Sequence, residues 1–155
     1  MKTFMWALFV MGTAANIAVA ADNPDFSGTW KLDPDKSAFG PMPPPTSLTL
    51  VIDHKEPAVS ASQSSTGPQG DQNTTSNYST DGTETVNNFM GTEVRSKAHW
   101  EDKTLVIESI LDPGGSAVKL TSKWSLSDDG STLTDALKIS SPQGDLEMAY
   151  VLMKQ

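Results

Sequence analysis

The chain has 155 residues, a formal net charge of −8 and no cysteine. The lack of cysteine excludes disulfides, thiol catalysis and a lipid anchor attached to a cysteine. The acidic balance disfavours nucleic acid and anionic membrane surfaces as partners, because both attract clusters of Lys and Arg, and these residues are scattered along this chain. The composition does not indicate an oligomeric state.

The first segment, Met1–Ala20, has the pattern of a secretory signal peptide. Lys2 forms a short basic head, an apolar run follows over residues 4–11, and Ala18-Val19-Ala20 is an A-x-A cleavage site. An N-terminal membrane anchor is the alternative, but a spanning helix needs about 20 apolar residues, and a glycine, a threonine and an asparagine interrupt this run. We expect cleavage after Ala20, export to the periplasm or the extracellular space, no stable membrane insertion after cleavage, and a single domain over residues 21–155.

Beyond the leader, apolar residues recur at every second position, and turn residues interrupt the pattern at short intervals. This alternation predicts antiparallel strands, because successive side chains of a strand point to opposite faces. The predicted strands are Phe26–Leu32, Ser47–His54, Ala58–Ser64, Asn73–Thr80, Glu84–Met90, Glu93–Trp100, Thr104–Leu111, Ala117–Leu126, Thr132–Ser140 and Asp145–Met153. A turn is expected at 33–37, an extended proline-rich loop at 39–45, and a tight hairpin at Asp81-Gly82. No helical pattern separates the strands, and an open meander of this size would expose two edges, so closure into an up-and-down barrel is expected.

The first predicted strand carries a short motif, Gly28-Thr29-Trp30. It resembles the opening of the calycin superfamily, the lipocalins and fatty-acid-binding proteins, and of small exported lipocalin-like proteins of bacteria. The resemblance implies that Trp30 closes one end of a barrel while Gly28 permits close backbone approach. The alternative is that both belong to the core of another β sandwich.

The chain also departs from those families. No second or third lipocalin signature follows, and the arginine that packs on the family tryptophan has no match, with Lys154 as the nearest candidate. Residues 33–39 leave no room for the two-helix lid of a fatty-acid-binding protein, and its carboxylate-binding basic residues cannot be located by motif. The ligand class of the family therefore does not transfer.

Two groups of residues are candidates for ligand binding. Trp100, Trp124 and Tyr150 lie on apolar strand faces and could line a pocket, or they could fill the core. The second group shares one face of the sixth strand and could hold an anionic head group in a polar lumen, or could face water; it comprises Arg95, Lys97 and His99.

Catalytic chemistry has little support in the sequence. His54 and His99 are the only histidines and have no metal-ligand spacing, so no metal, no cofactor and no catalytic residue is assigned. Three hypotheses remain: an exported lipocalin-like protein that binds a small apolar or amphipathic ligand, a packed ligand-free surface or envelope interaction protein acting through the Pro41–Pro45 loop, and a calycin-type isomerase or cyclase. A lumen above roughly 300 Å³ would favour binding, a filled barrel the interaction role, and converging titratable groups an enzyme.

Overall fold

A computed structural model describes residues 22–155, which form an all-β structure of ten antiparallel strands. The strands are β1 (Gly28–Leu32), β2 (Ser47–Lys55), β3 (Ala58–Thr66), β4 (Gln72–Ser79), β5 (Thr85–Phe89), β6 (Thr92–Glu101), β7 (Thr104–Leu111), β8 (Val118–Leu126), β9 (Thr132–Ser141) and β10 (Gly144–Lys154). Each predicted strand is present, with ends that differ by no more than two residues. The predicted signal peptide, Met1–Ala20, and its cleavage site lie outside the described residues. Within the described range, no helix is long and apolar enough to cross a membrane.

The strands follow one another around a barrel. The hydrogen-bonded order runs β4-β3-β2-β1-β10-β9-β8-β7-β6-β5, so β1 joins β10 and leaves β4 and β5 as the two ends of the sheet. These ends are bridged by the side chain of Asn87, whose Oδ1 accepts from the Asn77 backbone N–H at 2.7 Å and whose Nδ2 donates to the Asn77 carbonyl at 3.0 Å. The predicted up-and-down barrel is therefore confirmed, with one seam closed by a side chain instead of a backbone ladder.

Alternation along each strand determines which side chains face inwards. In β2, Leu48, Leu50 and Ile52 are buried while Val51 between them is about half exposed. The same pattern on the other strands gives one contiguous core under the barrel wall. Burial of this apolar surface is the main favourable contribution to folding.

The segment between β1 and β2 packs across β10. After a single turn at residues 34–36, Ala38 pairs with Ala149, each backbone N–H donating to the other's carbonyl at 2.8 Å. This pairing places the Phe39 ring edge-on against Tyr150, with ring centroids 5.6 Å apart. Residues 33–46 contain no helix, so the barrel has no helical lid in this connection.

Candidate functional site

The core is packed at one end of the barrel, around Trp30, and we call this part the closed end; that Trp30 itself closes the barrel stays a prediction. The Trp30 side chain is fully buried, and its indole N–H donates to the Phe26 carbonyl at 2.9 Å. Lys154, opposite Trp30 on β10, lies with its Nζ 5.4 Å from the centre of the tryptophan ring. Gly28 has φ of +138°, and a Cβ there would lie 3.1 Å from the Lys154 side chain. Both a left-handed backbone and a close neighbour thus favour glycine at position 28.

A polar network lies beside this closed end. The ring of His54 accepts the Phe26 N–H at Nδ1, so Nε2 carries the proton and donates to Glu56 over 3.1 Å. Glu56 also accepts from the Trp100 indole at 2.9 Å and from the Thr80 hydroxyl. Burial acts to raise the pKa of Glu56 and is the largest single influence, but the bonds from Thr80, His54 and Trp100 together lower it below its ordinary value.

Above the closed end, the barrel encloses a cavity of about 320 Å³. Its lining comes from every strand except β1. The lining residues are Leu48, Leu50, Ala61, Gln63, Thr74, Ser76, Tyr78, Asn87, Asn88, Phe89, Val94, Ser96, Ile107, Ser109, Leu111, Leu120, Ser122, Trp124, Asp135, Leu137, Tyr150 and Leu152. Among these described residues there is no Lys, Arg or His.

The cavity has an apolar wall and a polar wall. Branched aliphatic side chains of β2 and β7 to β10 form the first, and short polar side chains of β3 to β5 form most of the second. Two lining hydroxyls, those of Ser96 and Ser109, are bonded to each other at 2.7 Å, which uses one of their two hydroxyl hydrogens. A ligand with an apolar body and one polar region matches this division.

Of the described residues that line the cavity, Asp135 alone carries a carboxyl group. It lies on β9, opposite Trp124 of β8 on one side and Tyr150 of β10 on the other. Its Oδ2 accepts a long hydrogen bond of 3.5 Å from Ser122, whereas Oδ1 is buried and has no partner. The indole N–H of Trp124 is also buried without a partner. An unpaired acceptor and an unpaired donor thus share one side of the cavity.

Burial raises the pKa of Asp135 to about 6. The nearby Trp124 indole and the Ser122 hydroxyl lower this pKa and offset part of the rise. The indole N–H does so without reaching hydrogen-bonding geometry. Burial also raises the pKa of Tyr78 and of Tyr150, and the Asp135 charge adds to both effects. Asp135 is therefore mostly ionised at neutral pH, while both phenols keep their protons.

The residues proposed from sequence lie in three places. Trp124 and Tyr150 line the cavity on either side of Asp135. Trp100 instead lies at the closed end, where its ring stacks on Phe26 with centroids 5.8 Å apart and its indole binds Glu56.

The three basic candidates of β6 lie away from the cavity, on the outer face. Arg95 contacts Glu93 and Glu84, and His99 contacts Glu101, all at exposed positions. Lys97 is likewise exposed. A ligand-binding role for any of the six residues remains a prediction.

The sequence reasoning missed Asp135 and Tyr78. A usable signal was present, because Asp135 falls between Leu133 and Leu137 on the inward face of β9, where alternation calls for an apolar side chain. A carboxyl group on an apolar strand face is expected either to pair with a cation or a hydrogen-bond donor of the protein, or to belong to a ligand-binding or catalytic site. In the described part of the chain no three His, Asp or Glu side chains gather closely enough to hold a metal ion.

Comparison with solved structures identifies the fold. Zebrafish ileal bile acid-binding protein, solved with cholic acid, superposes with a TM-score of 0.62 at 16% identity, covering 84% of this chain and 98% of that one. A secretory abundant heat soluble protein of Ramazzottius varieornatus gives a TM-score of 0.59 at 13% identity, covering 83% and 94%, and the fluorescent protein UnaG gives 0.57 at 17%, covering 84% and 97%.

No protein-family model and no curated protein sequence matches the chain. The likeness is therefore one of fold. In fold, the chain is similar to these proteins: it is a nearly closed barrel of ten antiparallel strands, of the calycin type.

Proposed function

We propose that the protein is an exported barrel that binds one small apolar or amphipathic molecule in its lumen. The observation that carries the proposal is the open cavity of about 320 Å³. Protein interiors are normally packed to the density of organic crystals, so a void of this size is a feature to be explained. It falls at the lower end of the range typical of small-molecule sites, roughly 300–1,000 Å³.

The character of the lining supports a ligand of mixed polarity. Apolar side chains such as Leu50, Leu137 and Leu152 offer contact surface, while Asp135 and Trp124 offer polar atoms that have no hydrogen-bond partner among residues 22–155. The fold agrees, since the zebrafish protein with this architecture was solved with cholic acid. Fold alone does not define a ligand, so this agreement is an analogy.

The open lumen argues against a ligand-free interaction protein, whose barrel would be filled. A second candidate is an isomerase or cyclase in the same lumen. It is favoured by Asp135, whose pKa of about 6 suits proton transfer and whose neighbours include Tyr78 and Tyr150. We prefer ligand binding to catalysis as the proposed function because binding requires only the cavity. Recovery of the bound molecule chemically unchanged after prolonged incubation would support binding over catalysis.

Export rests on the pattern of Met1–Ala20. The full chain, expressed with its leader in a bacterial host, should appear in the periplasm or medium with a mass that matches a chain beginning at Ala21. A full-length mass in the membrane fraction would favour an anchor instead.

The binding test uses the neutral fluorescent probe N-phenyl-1-naphthylamine, followed by its own emission and by energy transfer from Trp124 in the lumen. We expect saturable binding. Leu137→Trp places a large ring inside the cavity and should weaken binding at least tenfold, whereas Ala136→Trp, its outward-facing neighbour, should leave binding within twofold. Far-ultraviolet circular dichroism checks that both variants fold. Equal binding by both variants would place the probe outside the lumen and contradict the proposal.

A further inference from the structure

The carboxyl group of Asp135 in the lumen has no cationic partner among the described residues, and only Ser122 and Trp124 lower its pKa. Asp135 Oδ1 is buried and unpartnered, and Oδ2 has only the 3.5 Å contact from Ser122. A buried carboxylate without partners is costly, and natural proteins keep such groups where a ligand or a proton completes them. The missing partner must therefore donate hydrogen bonds, carry positive charge, or both.

No cation of the described chain supplies that charge. The lysines of β8 and β9 have other partners: Lys123 lies 3.7 Å from Glu101, Lys119 lies 2.9 Å from Glu108 and Lys138 lies 3.0 Å from Asp145. The lysine of β10, Lys154, lies over the ring of Trp30. The lining residues include no Lys, Arg or His. An anionic ligand would thus meet a carboxylate and find no counter-charge, whereas a cation would find its only counter-ion at Asp135.

Aromatic rings surround the same carboxyl group. Trp124 and Tyr150 lie opposite Asp135 on the two neighbouring strands. Tyr78 packs edge-on against Trp124 from across the lumen, with centroids 6.1 Å apart. Aromatic faces attract cations, most strongly where water is excluded. A carboxylate among three aromatic rings is the chemistry that recognises a protonated amine.

We propose that the lumen selects ligands that carry a protonated amine on an apolar body, with Asp135 as the counter-ion and Trp124, Tyr78 and Tyr150 around the cationic nitrogen. This inference rests on the proposed function and assigns its ligand class. Neutral molecules of the same shape bind more weakly, and carboxylates bind most weakly.

The selectivity depends on pH through Asp135. The groups that face it are Ser122 and Trp124 from β8, Tyr150 from β10 and Tyr78 from β4. The pKa values of Tyr78 and Tyr150 are raised, so the carboxyl group alone titrates in the acid range. Since the pKa of Asp135 is about 6, the preference for amines should be full at pH 8 and shrink below pH 6.

The test compares three probes of equal chain length: octylamine, 1-octanol and octanoate. Each displaces N-phenyl-1-naphthylamine from the full mature protein at pH 8, where an alkylamine is protonated as lysine is, with a pKa of about 10.4. We expect octylamine to displace the dye at a concentration at least tenfold lower than 1-octanol, and octanoate to be weakest. Asp135→Asn should weaken octylamine at least tenfold and leave 1-octanol within twofold.

Glu147→Gln removes the same charge from the exposed face of β10 and is the matched control, which should leave all three probes unchanged. Equal potency of the three probes, or no effect of Asp135→Asn, would overturn the amine preference while leaving small-molecule binding intact. Failure of the dye and of every probe to bind would instead overturn the proposed function and this inference with it.

Discussion

The closed end and the lumen of the barrel each contain a carboxyl group near a tryptophan indole, but only at the closed end are these two groups hydrogen-bonded. At the closed end, Glu56 accepts from Trp100, His54 and Thr80. In the lumen, Asp135 lies opposite Trp124, yet a carboxyl oxygen and the indole N–H both lack partners. Polar groups that are satisfied within the protein stabilise it, and those left unpaired are available to something else. The comparison separates the part of this barrel that holds the fold from the part that can bind.

The largest loss of folding stability should come from a substitution at the closed end. Trp30→Ala removes a fully buried ring and leaves a cavity, which typically costs about 3–5 kcal/mol of unfolding free energy. Leu137→Ala, on the lumen wall, removes a side chain that already borders open space and should cost about 1 kcal/mol. Urea unfolding followed by circular dichroism measures both. Equal losses would mean that the lumen wall supports the fold as strongly as the closed end does.

The next largest loss of folding stability should come from Glu56, the carboxylate whose hydrogen bonds are made within the protein. Glu56→Ala removes the acceptor of three hydrogen bonds and should destabilise the protein by about 2–3 kcal/mol, the range for bonds to a charged group. Glu93→Ala, on the outer face of β6, should change stability by less than about 0.5 kcal/mol. Thermal and urea unfolding at pH 7 compare the two. A loss at Glu56 no greater than at Glu93 would remove the contrast between closed end and lumen.

The smallest expected change in folding stability is a gain instead of a loss, and it concerns Asp135. The folded pKa of Asp135, about 6, lies above the unfolded value of 3.8, so the folded state binds the extra proton between these values and stability falls as pH rises through them. Asp135→Asn removes this loss. One unit of pKa corresponds to about 1.4 kcal/mol, so the full rise would correspond to about 3 kcal/mol. Because the Asp135 residue is only half-buried, we expect a smaller gain of about 1–2 kcal/mol for the unliganded protein at pH 8.

The gain from Asp135→Asn should nearly vanish at pH 4, where the native carboxyl group is already protonated. Urea unfolding of the two proteins across this pH range gives the difference directly, because contributions from the other carboxylates cancel. A gain that does not depend on pH, or a loss at pH 8, would show that Asp135 is not an unbalanced charge.

The strands were predictable because antiparallel alternation is a local signal with a period of two. The depth of a residue within the barrel was not, because it depends on strand tilt and stagger, which are set by pairing between distant segments. Trp100 and Trp124 illustrate this point: both lie on inward faces, yet one belongs to the closed end and the other to the lumen. Alternation could have identified Asp135 as an exception on β9, but only the folded barrel shows that its carboxyl oxygen has no partner.

The seam between β4 and β5 has a mechanical consequence. Elsewhere around the wall, separating two neighbours means breaking a backbone ladder, whereas in the described part of the chain these two strands are linked through the amide of Asn87. Local opening follows the path with the fewest bonds to break. The barrel wall should therefore open most easily between β4 and β5, beside Thr74, Ser76 and Asn88, which line the cavity. Such local opening would let a small molecule enter the lumen through the side of the barrel while the other strands stay paired.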